Sequence, residues 1–434
     1  MIEVLQEENE AVRVFLVGKR KNCRREEYPG EKDGPDLDEL RGLAGTLGMV
    51  VAGELVVGDF VPGPVYLVGK GKAEEIAGTA KNLSCDCIIF DFEISPTHQR
   101  NWEKLAGIPV FDRQELILRI FESRAATREA VLQVQLAKLN YSLPRLAHSY
   151  GNLSRQRGGN YGSKGSGETK LEMDRRAVQN EIFKIKKELE KVRQNRATQR
   201  KKRDRVPLPL CTLIGYTNAG KSSLLNALTG SMVYEKDELF ATLDPSTRRL
   251  KKESSYSLLF TDTVGFIENL PHTLVEAFRS TLEEALEGDL LVIVVDSSSK
   301  DMEKIKRSYE TTCSVLKEIG ADSRQRLIVL NKADLIDGLR RNELKAVFPN
   351  GIFTSTRTGE GLEELVRQAG IICGGARLKV LIPYGEGALI SLVYRTGHIL
   401  SEEKTDNGII FDAFFPGTSG KRFFPFVIGG RKGP

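Results

Sequence analysis

Gly215-Tyr-Thr-Asn-Ala-Gly-Lys-Ser222 stands between an apolar strand, Leu208-Pro-Leu-Cys-Thr-Leu-Ile214, and a helix former, Ser223-Leu-Leu-Asn-Ala-Leu228. Strand, glycine loop and helix in that order make a cradle for a phosphate chain. Gly215 and Gly220 let the backbone curl so that N–H groups point inward, and the helix adds its positive N-terminal dipole. Lys221 can reach the β- and γ-phosphates, and the Ser222 hydroxyl can ligate Mg²⁺. Tyr216, Thr217, Asn218, Ala219 and Ser223 complete the expected phosphate contacts.

Three further motifs follow at sensible distances: Asp262-Thr-Val-Gly265, Asn331-Lys-Ala-Asp334 and Thr354-Ser-Thr-Arg357. Asp262, closing the alternating strand Tyr256–Thr261, can hold Mg²⁺ through water, and the Gly265 N–H can sense a γ-phosphate. Asn331, Lys332 and Asp334 follow the strand Leu327–Leu330. A carboxylate at Asp334 accepts two hydrogen bonds from the guanine N1–H and exocyclic amine, a donor pair that adenine lacks. Ser355 is expected to offer its backbone N–H to the guanine carbonyl, with Thr356 beside it. Within Phe240–Thr247, Thr242 is read as the switch threonine that meets Mg²⁺ and the γ-phosphate, with Thr247 as the alternative. The predicted chemistry is hydrolysis of GTP to GDP and phosphate, carried by Lys221, Thr242, Gly265 and Asn218. Phe266 stands where Ras-like enzymes place a water-orienting glutamine, so intrinsic hydrolysis is expected to be slow and to need an activator. Asn218 resembles the asparagine of GTPases that use K⁺ in place of an arginine finger; a simple loop-stabilising role is the other reading. His272 is read as part of the switch structure rather than as a base.

At 434 residues, with 40% apolar and 28% charged residues, the chain has the composition of a soluble multidomain protein. The net charge of +5 is mild, but basic residues cluster at Arg196–Arg205. The six cysteines have no metal spacing and no disulfide framework. Cys85 and Cys87 read as small core residues on one strand face. Glu3, Glu7, Glu8 and Glu10 occupy the place of a signal-peptide core, and the apolar runs are strand-length. A cytoplasmic monomer without a membrane span is expected, with peripheral membrane association left open.

The expected fold is multidomain α/β. Residues 1–122 alternate strands and helices, implying a parallel α/β domain. Residues 123–205 read as an antiparallel helical hairpin whose Gly-, Ser-, Arg- and Lys-rich loop spans 151–167. Residues 206–373 form the P-loop GTPase domain with a Ras-like mixed sheet. Residues 374–434 form a small α+β domain, with a helix expected over Gly387–Leu400.

The stretch Gly158-Gly-Asn-Tyr-Gly-Ser-Lys-Gly-Ser-Gly-Glu-Thr-Lys-Leu-Glu-Met-Asp-Arg-Arg176 resembles the glycine-rich signature of the HflX family of ribosome-associated GTPases. Phe240–Arg248, Asp262–Ile267, Leu270–Arg279, Val68–Ile76 and Ser95–Lys104 fit the same family. Arg357, Thr356 and Ser246 depart mildly from its pattern. The resemblance implies a protein that docks on the large ribosomal subunit and its rRNA and, with GTP bound, separates stalled or idle ribosomes into subunits. A large-subunit assembly or dormancy factor, using GTP as an affinity switch, is the alternative. An ATPase built on residues 1–150 is disfavoured, because Gly69-Lys-Gly71 is too short a phosphate-loop signal. The hairpin loop suits an RNA cavity: Arg155, Arg157, Lys164, Lys170, Arg175 and Arg176 could neutralise phosphates, and Tyr150 and Tyr161 could stack on bases.

Overall fold

A computed structural model describes residues 11–19, 37–58, 65–149, 166–203, 208–231, 238–250, 258–268, 288–373, 376–415 and 421–428. The chain divides into two compact units, residues 1–191 with 271–277, and 192–270 with 278–434.

The first unit is built on four parallel strands in the order β2-β1-β3-β4: β1 (Arg13–Lys19), β2 (Val50–Val57), β3 (Cys87–Phe90) and β4 (Val110–Asp112). The connections carry α1 (Asp38–Thr46), α2 (Lys70–Asn82) and α3 (Pro96–Ala106). Local chemistry sets α3: the Ser95 Oγ accepts the His98 N–H, Pro96 opens the first turn, and Gly107 ends the helix at φ 74°. Trp102 on α3 is fully buried against Phe90, and its indole N–H donates to the Tyr66 carbonyl at 3.0 Å. Cys85 lies just before β3 rather than on it, so the two cysteines do not share a strand face as expected. Both are core residues, and burial pushes the Cys87 thiol up to about 12.

β4 runs directly into α4 (Arg113–Arg124), which Asp112 caps by accepting the Glu115 N–H at 2.9 Å. Asp112 is fully buried and also receives the Tyr141 hydroxyl (3.0 Å) and Arg145 Nη2 (3.1 Å) from α5 (Arg128–Ser149). Arg113, equally buried, pairs with Glu39 and Asp91. One polar knot therefore joins the sheet edge to α4 and α5. Arg128 at the start of α5 pairs with Glu188 late in α6 (Ser166–Arg203), as an antiparallel hairpin requires. Ile185 and Leu189 supply the buried side of α6. Tyr150 and most of the loop 151–167, with Arg155, Arg157, Tyr161 and Lys164, lie outside the described residues.

The second unit carries a six-stranded sheet in the order β10-β9-β8-β5-β7-β6. Its strands are β5 (Leu210–Gly215), β6 (Ser246–Arg249), β7 (Leu259–Asp262), β8 (Leu290–Asp296), β9 (Arg326–Asn331) and β10 (Ile352–Phe353). All pairings are parallel except β6 with β7, which gives the mixed sheet. β8 is buried along almost its whole length, as its unbroken apolar run requires. Among the described residues its helices are α7 (Lys221–Thr229), α8 (Met302–Glu318), α9 (Gly338–Val347) and α10 (Leu362–Cys373). The sequence gives β6 little apolar alternation, and this edge strand was not anticipated.

Residues 376–428 hold a three-stranded antiparallel sheet, β11 (Ala376–Ile382), β13 (Gly408–Phe415) and β12 (His398–Thr405), with α11 (Gly387–Thr396). The helix expected to run to Leu400 stops at Thr396: Gly397 is extended, and its N–H caps the Val393 carbonyl. The chain then pairs as β12. Among the described residues no helix is long and apolar enough to cross a membrane.

Candidate functional site

The four motifs converge at the carboxyl ends of β5, β7, β9 and β10. β5 ends at Gly215 with φ 152°, and a Cβ there would lie 2.2 Å from the Val294 carbonyl oxygen of β8. Only glycine lets the chain leave the strand so close to its neighbour. Asn218, exposed at the loop apex, is left-handed (φ 60°), as is Gly220 (φ 87°). A Cβ on Gly220 would meet Asn331 Nδ2 at 2.3 Å. The expected ring of inward amides is partial. The Thr217 N–H donates to Phe266 O at 2.7 Å and the Ala219 N–H to Tyr216 O at 3.3 Å. The first-turn amides of α7, from Lys221 to Ser223, precede the first intrahelical bond, Leu224 N to Gly220 O.

Lys221 is buried, and its ammonium donates to the carbonyls of Tyr216 (2.9 Å) and Gly215 (3.3 Å). Desolvation draws its pKa down to about 8, against the pull of Asp262. Gly265 sits over it, where a Cβ would be 2.9 Å from Nζ. Ser222 Oγ donates to Asp262 Oδ2 at 2.6 Å and lies 2.8 Å from Thr242 Oγ1. Asp262 is fully buried. Burial pushes its carboxyl pKa up, while Lys221 and Ser222 pull it down. Its Oδ1 is buried without a hydrogen-bond partner. One carboxylate and two hydroxyls thus converge, and an orphaned oxygen remains, a donor set that fits a hard divalent cation such as Mg²⁺. Thr247 is elsewhere: on β6, its hydroxyl is 2.7 Å from Thr261 Oγ1.

Phe266 does not enter the site. It is buried and bridges to Tyr216 in parallel fashion, and the Glu268 N–H donates to the Tyr216 hydroxyl. Hence the phenyl ring serves the core beneath the loop. His272 lies outside the described residues.

At the base end, Asn331 is buried and acts as a tie. Its Nδ2 donates to Ala219 O at 3.0 Å, and its Oδ1 accepts the Thr354 hydroxyl at 3.2 Å. Lys332 is left-handed (φ 62°) and pairs with Asp296 at 2.7 Å. Asp296 was missed in the sequence, although its place at the end of the most apolar strand was a signal. Ser355 Oγ donates to Asp334 Oδ1 at 2.7 Å. The expectation for the Ser355 amide is corrected: its N–H already donates to Glu360 O at 3.0 Å, inside the loop. Ser355 acts on Asp334 through its hydroxyl, and Thr356 offers the next amide. Of the expected RNA contacts, Arg175 and Arg176 are exposed on α6, where Arg176 pairs with Glu172; Lys170 lies in the same helix.

A mixed sheet with a phosphate loop, a buried lysine and an Asn-Lys-x-Asp loop at the end of β9 defines a P-loop GTPase. Family profiles described as GTP-binding GTPase N-terminal, GTP-binding GTPase Middle Region and 50S ribosome-binding GTPase match residues 35–122, 124–203 and 210–332. The chain is 43% identical over 401 residues to a GTPase HflX of Akkermansia muciniphila, covering 89% of this chain and 91% of that protein. It is 38% identical over 390 residues to the GTPase HflX of Escherichia coli K12, covering 88% and 90%. A crystal structure of a GTP-binding protein from Sulfolobus solfataricus with GDP is 23% identical, with a TM-score of 0.44 over 83% of this chain and 99% of that one. The chain belongs to the HflX family of GTPases, and it hydrolyses GTP.

Proposed function

We propose that this protein binds the large ribosomal subunit and, in its GTP state, separates stalled or idle ribosomes into subunits, with hydrolysis resetting it. The observation that carries this reading is the near-full-length likeness to HflX GTPases, including the profile described as a 50S ribosome-binding GTPase. In this reading Ser222 and Thr242 ligate Mg²⁺ directly and Asp262 holds it through water. The ion would offset phosphate charge and order Thr242 only when a γ-phosphate is present. Lys221 neutralises the β- and γ-phosphates, and the Gly265 amide reads the γ-phosphate. Asp334 selects guanine, and the Thr356 amide takes the base carbonyl. Asn218, at the exposed loop apex, is assigned to K⁺, so hydrolysis should be faster in KCl than in NaCl. Arg155, Arg157, Tyr161, Lys164, Lys170, Arg175 and Arg176 are assigned to rRNA in the cytoplasm, as the basic hairpin loop suggests.

The test is a sedimentation gradient of intact ribosomes mixed with the protein and a non-hydrolysable GTP analogue. Splitting moves ribosomes into subunit peaks with the protein on the large one, and Lys221→Ala abolishes the shift. Intact ribosomes, with the protein found only on free large subunits, would replace splitting with an assembly or dormancy role.

A further inference from the structure

Arg341, on the first turn of α9, makes three bonds between the two loops at the base end. Its guanidinium grips Glu360 with both arms, Nη1 to Oε1 at 2.5 Å and Nη2 to Oε2 at 2.9 Å, and Nη2 also donates to Ala333 O at 3.0 Å. Ala333 is the neighbour of Asp334, and its own N–H donates to Thr354 O. Glu360 in turn accepts the Ser355 N–H on its carbonyl, and the Ser355 hydroxyl holds Asp334. The contacts close into a ring running from Asp334 through Ser355, Glu360, Arg341 and Ala333 back to Asp334.

The glycines beside Glu360 keep this loop in one shape. Gly359 and Gly361 are both left-handed, and a Cβ on Gly361 would lie 1.9 Å from Phe353 O. Half-exposed ion pairs ordinarily contribute little, and Arg341 and Glu360 are 33% and 39% exposed. This pair differs in two respects. It is a bidentate fork with a third bond to a carbonyl. It also spans two loops whose spacing sets the direction of one carboxylate.

We propose that Arg341 and Glu360 are positioning residues for guanine selection: their ion pair fixes the two loops so that Asp334 meets both the N1–H and the exocyclic amine. This rests on the assignment of Asp334 to the base. A carboxylate that must receive two parallel donors is sensitive to tilt, whereas one that receives a single donor is not. Loss of the clamp should therefore cost guanine nucleotides more than inosine nucleotides, which lack the amine. The phosphate end is untouched, so the GTP to GDP preference and the hydrolysis step should not change.

The experiment measures dissociation constants of the full chain for GDP, GTP, IDP and ITP in wild type, Arg341→Met, Glu360→Gln, the swap Arg341→Glu with Glu360→Arg, and Asp334→Asn. Both single clamp variants should weaken GDP and GTP by about tenfold and ITP by less than about threefold, the loss of one charge-assisted hydrogen bond at the base. The swap should recover part of the GTP to ITP ratio, and single-turnover hydrolysis of pre-bound GTP should stay within about twofold of wild type. Glu360→Gln, nearly isosteric, keeps the test valid should Arg341→Met fold poorly. An unchanged GTP to ITP ratio in the clamp variants, with Asp334→Asn losing GTP, would overturn the clamp alone. GTP binding unaffected by Asp334→Asn would instead overturn the base assignment on which the clamp rests.

Discussion

Lys221 holds a charge where water does not reach, and its amine is satisfied by two loop carbonyls rather than by phosphate. Its ammonium pKa, drawn down to about 8, would rise when a phosphate chain arrives. The sign follows from the protonated form being the one that binds anions. Well below pH 8 the amine is charged with or without nucleotide and its contribution to affinity is flat. Above pH 8 the free protein has lost the proton and must take it back, so affinity falls. Calorimetry above pH 8 in buffers of different ionisation enthalpy should show net proton uptake on GDP binding that grows with pH; no uptake would contradict it. Gly220 allows an equally direct check. Alanine there must adopt φ 87° and push a methyl against the Asn331 amide, so Gly220→Ala should weaken GDP binding by at least about tenfold in a fluorescence titration. The left-handed glycine was legible in the sequence because the turn demands its type, and the lysine and aspartate were legible as members of motifs. The Ser355 amide was misread because hydrogen-bond partners within a loop leave no trace in composition. The Asn331 tie to Ala219 was not legible for a related reason, since it joins two loops far apart in sequence.

Elements were legible where periodicity and punctuation agreed. α3 has a serine cap, a proline at its first position and a terminal glycine, and it was read almost to its ends. β6 and β12 were missed because neither alternates cleanly, and edge strands owe their existence to a partner rather than to their own pattern. The knot at Asp112 was likewise hidden. Its partners come from α4, from α5 and from the Ile94 amide ahead of α3, up to 33 residues away in sequence. Burial raises the Asp112 pKa, and Arg145 and Tyr141 offset that. Asp112→Ala strips the cap of α4 and leaves Arg145 without its buried carboxylate. The first unit should lose about 3–5 kcal/mol in denaturant unfolding while GDP affinity stays within about twofold of wild type. A loss under about 1 kcal/mol would show that the knot is peripheral.

For the whole molecule, the fold class was legible because strand-like and helix-like segments alternate around the nucleotide motifs along the chain. The stretch 151–167 was read from composition alone, since Gly, Arg and Lys without apolar periodicity predict no element, and most of it lies outside the described residues. In the proposed function, what joins the modules is the γ-phosphate. A ligand shifts a conformational equilibrium only by its differential affinity for the two states. The nucleotide can therefore control ribosome binding only if the GTP and GDP forms bind the large subunit differently. The most direct measurement is equilibrium binding of the full chain to purified large ribosomal subunits, with a non-hydrolysable GTP analogue against GDP. The account predicts at least about tenfold tighter binding with the analogue, a coupling of about 1.4 kcal/mol, and its loss in Lys221→Ala. Equal affinity with the two nucleotides would contradict it.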